Sequence, residues 1–400
     1  MAPLDVDRLA PFLSPTVRRR LSTLLEAAEV GRQVQSARVL AGLLPSVARG
    51  MLLQQGRAAD ETDMVSGHRT RFRWSYEPDF PELRALYRKA KQSQWDADTA
   101  LDWSQNVDPL NPERPLLPLD FFDVEGLAAL GVRLDAQEQR RFIHCMAAWM
   151  LSQFLHGEQA ALLATAQVTE SVQWTDAKLY GATQVMDEAR HVETFSRYLA
   201  EKLDKIYVVN DNLFVIIDAL MTDPRWDVKF LGMQIMVEGL ALGAFGTIYR
   251  VTREPLLREL LGYVIRDEAR HVAFGVHALR RHIAGLGEAE RHEREQWAFE
   301  VALLMRNRFL AHEVFEEWFE GRIRRTQWNE LVTGSPGMRQ FRSVMFSRLV
   351  PNLRAVGLLP EPMRRHYDAA GLLQYYDEPD ATVMSGEQML AGLDADAART

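Results

Sequence analysis

From about residue 135 to residue 283, apolar residues return every three or four positions through four long stretches, with polar residues between them. That is the period of an amphipathic helix. It predicts helices over about 135–168, 171–203, 227–253 and 255–283. Asp135 is placed to cap the first, Pro255 suits the opening turn of the fourth, and Gly285 and Gly287 suit its end. A shorter apolar stretch, Leu213 to Leu220, sits between Asn210-Asp211-Asn212 and Asp223-Pro224 and reads as a crossover helix. A fifth long helix is expected over about 288–325, carrying Trp297, Val301, Leu304, Phe315 and Phe319. Residues 335–375 read as two shorter helices split by Pro351 and Pro360.

Upstream of the four stretches, residues 1 to about 60 also read as helical. Val17, Leu21, Leu24 and Leu25 recur at helical spacing after Pro15, and Arg18, Arg19 and Arg20 read as a solvated face. Residues 68–81 read as a loop and 81–94 as a short helix. The proline-rich connection 94–118 reads as an ordered wrap anchored by Trp95 and Trp103. From Asp377 the chain is acidic and rich in small residues, the composition of a loosely held tail. No period-two alternation is long enough for a strand. The expected organisation is therefore all-α. N-terminal helices and the wrap occupy 1–134, a four-helix bundle 135–285, and C-terminal helices packed on it 286–376, with the tail at 377–400.

Composition narrows the class. The chain is 47% hydrophobic and 26% charged, which is ordinary globular composition. A net charge of -8 gives no basic footprint for nucleic acid or anionic lipid. A single cysteine, Cys145, excludes a disulfide framework and a cysteine-ligated cluster within the chain. The opening residues, Met1-Ala2-Pro3-Leu4-Asp5-Val6-Asp7, lack the pattern of a signal peptide. Apolar runs such as Leu213 to Ile217 fall far short of a membrane span. A soluble cytoplasmic protein that binds neither nucleic acid nor membrane is expected.

Chemistry enters through an internal repeat. Asp187-Glu188-Ala189-Arg190-His191-Val192 recurs as Asp267-Glu268-Ala269-Arg270-His271-Val272, and the same offset relates Glu158 to Glu238. Each half of the bundle thus offers one lone glutamate and, a helix later, a Glu-x-x-His. Residues three apart on a helix point the same way. Glu188 with His191, and Glu268 with His271, can therefore each hold one ion together. Single glutamates from the other two helices complete the donor set of a carboxylate di-iron or di-manganese bundle. Hard oxygen donors with two imidazoles suit iron or manganese. Glu158 lies on a stripe with Leu151, Phe154, Leu155, Ala161 and Leu162, and Glu238 with Leu231, Ile235, Ala241, Leu242 and Phe245. Such neighbours mark a glutamate that faces the core. Asp187 and Asp267 are candidates to orient the histidine of the opposite motif, with Arg190 and Arg270 as their partners. Gly239 and its small neighbours Gly243, Ala244 and Gly246 suit either a substrate pocket or close helix packing. Ala161, Leu162, Phe195, Gly239 and Leu242 are the candidate pocket residues.

At these residues the chain resembles the ferritin-like di-iron superfamily, in its oxygen-activating branch. The Asp-Glu-x-Arg-His form in both halves is similar to that of hydroxylase subunits of bacterial multicomponent monooxygenases and of benzoyl-CoA epoxidases. Plant acyl-carrier-protein desaturases have similar motifs, and the segment Trp95 to Asp108 resembles the lead-in of ribonucleotide reductase small subunits. The resemblance covers about 135–285. It implies a non-haem site that binds O2 between two ferrous ions and makes a peroxo or higher-valent oxidant. Two departures narrow the choice. Where the reductase subunit has its radical tyrosine, four residues after the first metal histidine, this chain has Phe195. Where the p-aminobenzoate N-oxygenases have an extra histidine, it has Val264.

The expectation is an O2-dependent di-iron oxygenase or oxidase acting on a small organic molecule by hydroxylation, epoxidation or N-oxygenation. Its cofactors would be two iron ions, with a Mn/Fe pair as the other possibility, and O2. With neither a dinucleotide fingerprint nor a cysteine cluster in the sequence, electrons are expected from a separate reductase or ferredoxin. A homodimer is expected. The competing readings are a ferroxidase-like or ligand-binding di-metal protein, and a radical protein like the reductase small subunit.

Overall fold

The structure is a computed structural model that describes residues 5–10, 12–33, 36–58, 61–307 and 309–397. The signal-peptide reading of Met1 to Leu4, the last three residues of the tail and the side chain of Leu304 lie outside the described residues. In chain order the helices are α1 (Val6–Leu9), α2 (Pro15–Gln33), α3 (Ala37–Val47), α4 (Gln55–Ala58), α5 (Pro81–Gln92), α6 (Ala97–Ala100), α7 (Val124–Ala129), α8 (Ala136–Ser171), α9 (Thr175–Arg197), α10 (Asp211–Thr222), α11 (Trp226–Phe230), α12 (Glu238–Val251), α13 (Pro255–Ile283), α14 (Glu288–Asn307), α15 (His312–Trp318), α16 (Arg325–Gly334), α17 (Pro336–Ala355), α18 (Glu361–Ala369) and α19 (Gly386–Ala397). There is no strand among the described residues; Glu320 and Ile323 form one isolated bridge.

Two of the four long helices, α8 and α13, begin where a capping side chain satisfies their first N–H groups. Asp135 accepts from the N–H groups of Gln137 and Glu138, each at 2.8 Å, while Glu138 accepts from the Asp135 N–H at 2.8 Å. This reciprocal box starts α8. Glu254 accepts from Leu256 N–H and Leu257 N–H at 3.0 and 2.6 Å, and Pro255 takes the first turn of α13. Tyr198, at the end of α9, donates to the same Glu254 at 2.6 Å, which ties the two helices together.

Residues 172–174 turn α8 into α9, and residues 252–254 turn α12 into α13. Between the hairpins runs one long crossover containing α10. One crossover between two helix hairpins is the ferritin-like connectivity. The chain is an all-α protein with a ferritin-like four-helix bundle and additional N- and C-terminal helices. α11 runs into α12 through a widened turn, Leu231–Val237, immediately before Glu238. Such turns inside helices are frequent at functional sites. The stretch Trp226–Val251 is long and apolar enough to cross a membrane, but 94% of its most apolar window is buried inside the protein. The sequence reading looked for uninterrupted apolar runs and missed this stretch, in which isolated polar residues are shielded by the bundle.

One apolar core runs from Val39 to Leu390, linking the chain from α3 to α19. α17 lies along α12 so closely that a Cβ on Gly243 would meet Met345 Cα at 2.8 Å and Val344 O at 2.9 Å. Three expectations change here. The fifth helix is broken: α14 ends at Asn307, and Ala311 takes φ +48° before α15. The break lets buried Glu313 accept from Trp149 Nε1 at 2.8 Å and pair with Arg57 at 2.7 Å, and it lets His312 face Asn329 at 2.8 Å. Pro351 does not split a helix. It sits inside α17 among buried Leu349, Val350 and Leu353, whose burial offsets the lost hydrogen bond. Third, described residues 377–397 are docked rather than loose. Met389 and Leu390 of α19 are buried, and Asp394 accepts from Tyr249 at 3.0 Å and from Arg258 at 2.7 Å.

Gly243→Ala therefore forces α12 and α17 apart at backbone atoms that cannot yield. We expect a loss of about 1–3 kcal/mol in urea unfolding. Gly157→Ala, where an added Cβ meets nothing within 4 Å, should be neutral or slightly stabilising by the same assay.

Candidate metal centre

The bundle brings Glu158 from α8, Glu188 and His191 from α9, Glu238 from α12, and Glu268 and His271 from α13 into one buried cluster. Each is at most 4% exposed, and His191, His271 and Glu188 are fully buried. Two overlapping groups hold donor atoms within 4.8 Å of one another: Glu158, Glu188, His191 and Glu268, and Glu188, Glu238 and His271. Glu188 belongs to both. His191 Nδ1 lies 3.2 Å from Glu158, 3.3 Å from Glu188 and 3.2 Å from Glu268. His271 Nδ1 lies 3.0 Å from Glu188 and 3.4 Å from Glu268. The two rings are 5.8 Å apart.

The other ring nitrogens point outward, each to an aspartate of the opposite motif. His191 Nε2 is 3.3 Å from Asp267, and His271 Nε2 is 3.2 Å from Asp187. A proton on Nε2 shared with an aspartate leaves Nδ1 as the inward-facing donor atom. Arg190 and Arg270 each pair with the aspartate on their own helix and reach the other at 3.4 and 3.5 Å. Two aspartates and two arginines so form a closed square behind the histidines, with no net charge.

Outside the square sits a pair of residues just beyond the end of α5. Gln94 donates to Asp187 at 3.0 Å and accepts from Arg190 at 2.6 Å. Trp95 Nε1 donates to Asp267 at 2.7 Å, while its ring stacks on Tyr263 at 4.8 Å. The wrap anchors expected at Trp95 and Trp103 thus differ in what they hold, since Trp103 donates to the backbone of Ala97 at 2.7 Å.

Two glutamines inside the cluster escaped the sequence reading. Gln184 donates to Glu188 at 3.0 Å and to Glu238 at 3.1 and 3.2 Å. Gln234 donates to Glu238 and to Thr165, both at 3.1 Å. A signal existed: each stands four residues before a buried glutamate, one helical turn away.

Aromatic side chains close the cluster at both ends. Phe154, Phe195 and Phe245 pack with centroids 4.7 to 6.2 Å apart on one side, and Tyr180, Phe230 and Phe274 at 4.6 and 4.7 Å on the other. The candidate pocket residues therefore separate. Phe195 is packed solid within its aromatic group, Ala161 is buried in the bundle, and Leu162 is partly exposed. Gly239 faces Asn352, whose Nδ2 would lie 3.8 Å from an added Cβ, and Leu242 lines a cavity on the α17 side.

The electrostatics show what the cluster lacks. Burial, with Glu268 and Glu188 beside it, pushes the Glu158 carboxyl well above its usual range. Burial, with Glu188 and Glu268 nearby, does the same to Glu238. Burial also raises Glu188, but His271 and His191 overcome it and hold that carboxylate well below the usual range. Burial disfavours charge on both imidazoles, yet the surrounding carboxylates hold each of them protonated. Protons stand in for missing positive charge. Glu188 Oε2, both oxygens of Glu268 and His271 Nδ1 are buried without a hydrogen-bond partner, as is the Tyr180 hydroxyl. His271 Nδ1 is near Glu188 but lacks hydrogen-bonding geometry to it. Unpaired donor atoms of this kind, converging from four helices, fit a pair of divalent cations.

No protein-family model matches the chain, and no curated protein sequence matches it. Among solved structures it is similar to a variant of an R2-like ligand-binding oxidase with an aerobically reconstituted Mn/Fe cofactor. The match has 19% identity and covers 75% of this chain and 94% of that one, with a TM-score of 0.38.

Because the cluster is held together against its own charge, Glu158→Gln or Glu238→Gln should not weaken the metal-free fold. In chelator we expect thermal unfolding at an unchanged midpoint or one raised by the equivalent of about 1–2 kcal/mol. A loss of more than about 2 kcal/mol would show instead that these carboxyls are structural partners.

Proposed function

We propose that this chain is a di-metal oxidoreductase of the O2-dependent oxygenase or oxidase kind, acting on a small organic substrate. The observation that carries the proposal is the cluster of four buried glutamates and two inward-facing imidazole Nδ1 atoms, with donor atoms left unpaired. Glu158, Glu188 and His191 would hold one ion, and Glu238, Glu268 and His271 the other, with Glu188 and Glu268 close enough to both halves to be shared. A bound pair of iron ions, or one manganese and one iron, supplies one-electron redox chemistry and O2 activation.

The protein's own contribution is positional and electrostatic. Asp187 and Asp267 fix the tautomer and ring orientation of the two histidines. Arg190 and Arg270 pair with those aspartates and hold them in place. Gln184 and Gln234 orient Glu188 and Glu238 through their amide donors. The two aromatic groups at the ends of the cluster exclude water from the centre. Electrons come from a separate donor protein, and the enzyme works as a homodimer.

Metal analysis tests the proposal. After anaerobic loading with ferrous iron and desalting, the wild type should retain two ions per chain and Glu238→Ala at most one. On adding O2 the ferric product should stay bound. A wild type that retains no metal, or a variant that still holds two ions, sinks the site as drawn. Growth of a ferric mineral or release of ferric ion would instead assign the cluster to iron oxidation for storage.

A further inference from the structure

Arg348, on the face of α17 toward α12, is half-buried, and burial pulls its guanidinium below the usual range. It pairs with no carboxylate within 4 Å among the described residues. The polar contact its side chain makes is a long one, from Nη1 to the thioether of Met384 at 3.9 Å. Glu378 is the nearest acid to act on it, but that side chain is exposed and makes no ion pair with it. A half-buried guanidinium has given up part of its hydration, and no carboxylate among the described residues replaces it.

What Arg348 faces is a small cavity of about 10 Å³, room for roughly one water. Leu242, one turn beyond Glu238, and Ala269, next to Glu268, form its bundle wall. Met384 and Met389 of the C-terminal segment form its cover. Asn352 also lines it. Its Oδ1 accepts the Ala381 N–H at 2.9 Å, so the amide NH2 is what it has to offer. Asp380 lines it too, but its carboxylate is shared between Thr382 at 2.6 Å and Arg280 at 3.7 Å. Among the described residues the cavity therefore presents the Arg348 guanidinium without an ion pair, the Asn352 amide donor, the engaged Asp380 carboxylate and otherwise apolar walls. Its lid is the adaptable thioether side chain of a methionine.

We propose that this is the anion end of a substrate site for an organic monocarboxylate. The carboxylate pairs with Arg348 side by side, as a planar guanidinium favours. The apolar body takes the place of the Met384 side chain and lies against Leu242 and Ala269, on the flank of the two helices that carry Glu238 and Glu268. Asp380 and Glu378 nearby disfavour a dianion such as a phosphate ester. The inference rests on the di-metal reading for its place beside a reacting centre, while the binding itself does not depend on metal.

The test is calorimetric titration of the iron-loaded protein with benzoate, 4-phenylbutyrate and octanoate, each against its primary amide. The titrations are repeated on metal-free protein and on Arg348→Gln, Arg348→Lys and Met384→Ala. At least one acid should bind with a Kd below about 1 mM and at least tenfold more tightly than its amide, with or without metal. Arg348→Gln should abolish that preference, Arg348→Lys should keep part of it, and Met384→Ala should bind the acid as tightly or more tightly. The proposal is overturned if no acid outbinds its amide in the wild type. It is equally overturned if the preference survives Arg348→Gln or vanishes on metal removal, which would place the carboxylate on the metals. If Arg348→Gln fails to fold by circular dichroism, the wild-type comparison and Met384→Ala decide. A chain that shows the Arg348-dependent preference but retains no iron leaves this site standing and sinks the di-metal reading. Two retained ions with no acid preference do the reverse.

Discussion

Four carboxylates buried within reach of one another set the terms for the rest of this structure. In an apolar interior their mutual repulsion and lost hydration cost several kcal/mol each unless positive charge is supplied. The surrounding square does not supply it, because Asp187 and Asp267 are already matched by Arg190 and Arg270. The remaining balance is four glutamates against two imidazoles. Either protons enter, which is how Glu158, Glu238, His191 and His271 resolve it when no metal is bound, or two divalent cations do. Two such cations with neutral imidazoles make the cluster neutral, and no proton then needs to stay. On the di-metal reading, binding metal and releasing protons would be one event at this site.

That constraint accounts for much of the architecture around it. A core that carries uncompensated charge needs apolar packing elsewhere to hold it closed. The chain supplies this with aromatic groups at both ends of the cluster and with α17 packed to backbone contact at Gly243. The widened turn before Glu238 carries Gln234 into line with the carboxylate it serves. The crossover and the broken helix after Asn307 have a different task. Their buried polar residues, among them Glu313, Asn210 and Arg57, form a second network around Trp149 that binds the N-terminal helices to α8. The two networks occupy different regions of α8 and share no residue.

What could be read in the sequence and what could not divides along physical lines. The four bundle helices and the face that each glutamate and histidine presents follow from period and spacing alone, because a duplicated Glu-x-x-His cannot place both side chains except on one side of a helix. The bounds of α13 follow from Pro255 and the glycines after it. Gln184 and Gln234 were missed because a glutamine on an amphipathic helix looks like any other polar position until its partner across the bundle is known. The break at Ala311 was missed for a related reason. Periodicity scores apolar positions, whereas that break is set by where His312 and Glu313 find partners far away in sequence. The tail was misjudged from composition, since a few buried residues such as Met389 and Leu390 outweigh many small and acidic ones.

A substrate pocket is less legible in a sequence than a set of converging ligands. Metal ligands must converge, and convergence writes a pattern into the spacing of one chain. A substrate pocket needs only space and one or two placed polar groups, and these come from helices far apart in sequence. Of the residues chosen for a pocket by their small size or nearness to the motifs, Leu242 lines the cavity on the α17 side, and the features that give that cavity chemical character, Arg348 and Met384, lie about a hundred residues or more downstream. Their significance rests on a missing partner rather than on a present one. An arginine that folding leaves half-buried without a counter-ion is placed to take a bound anion. In a fold whose centre is already organised around charge awaiting its complement, a second such charge on the flank of the same two helices extends the logic of the first.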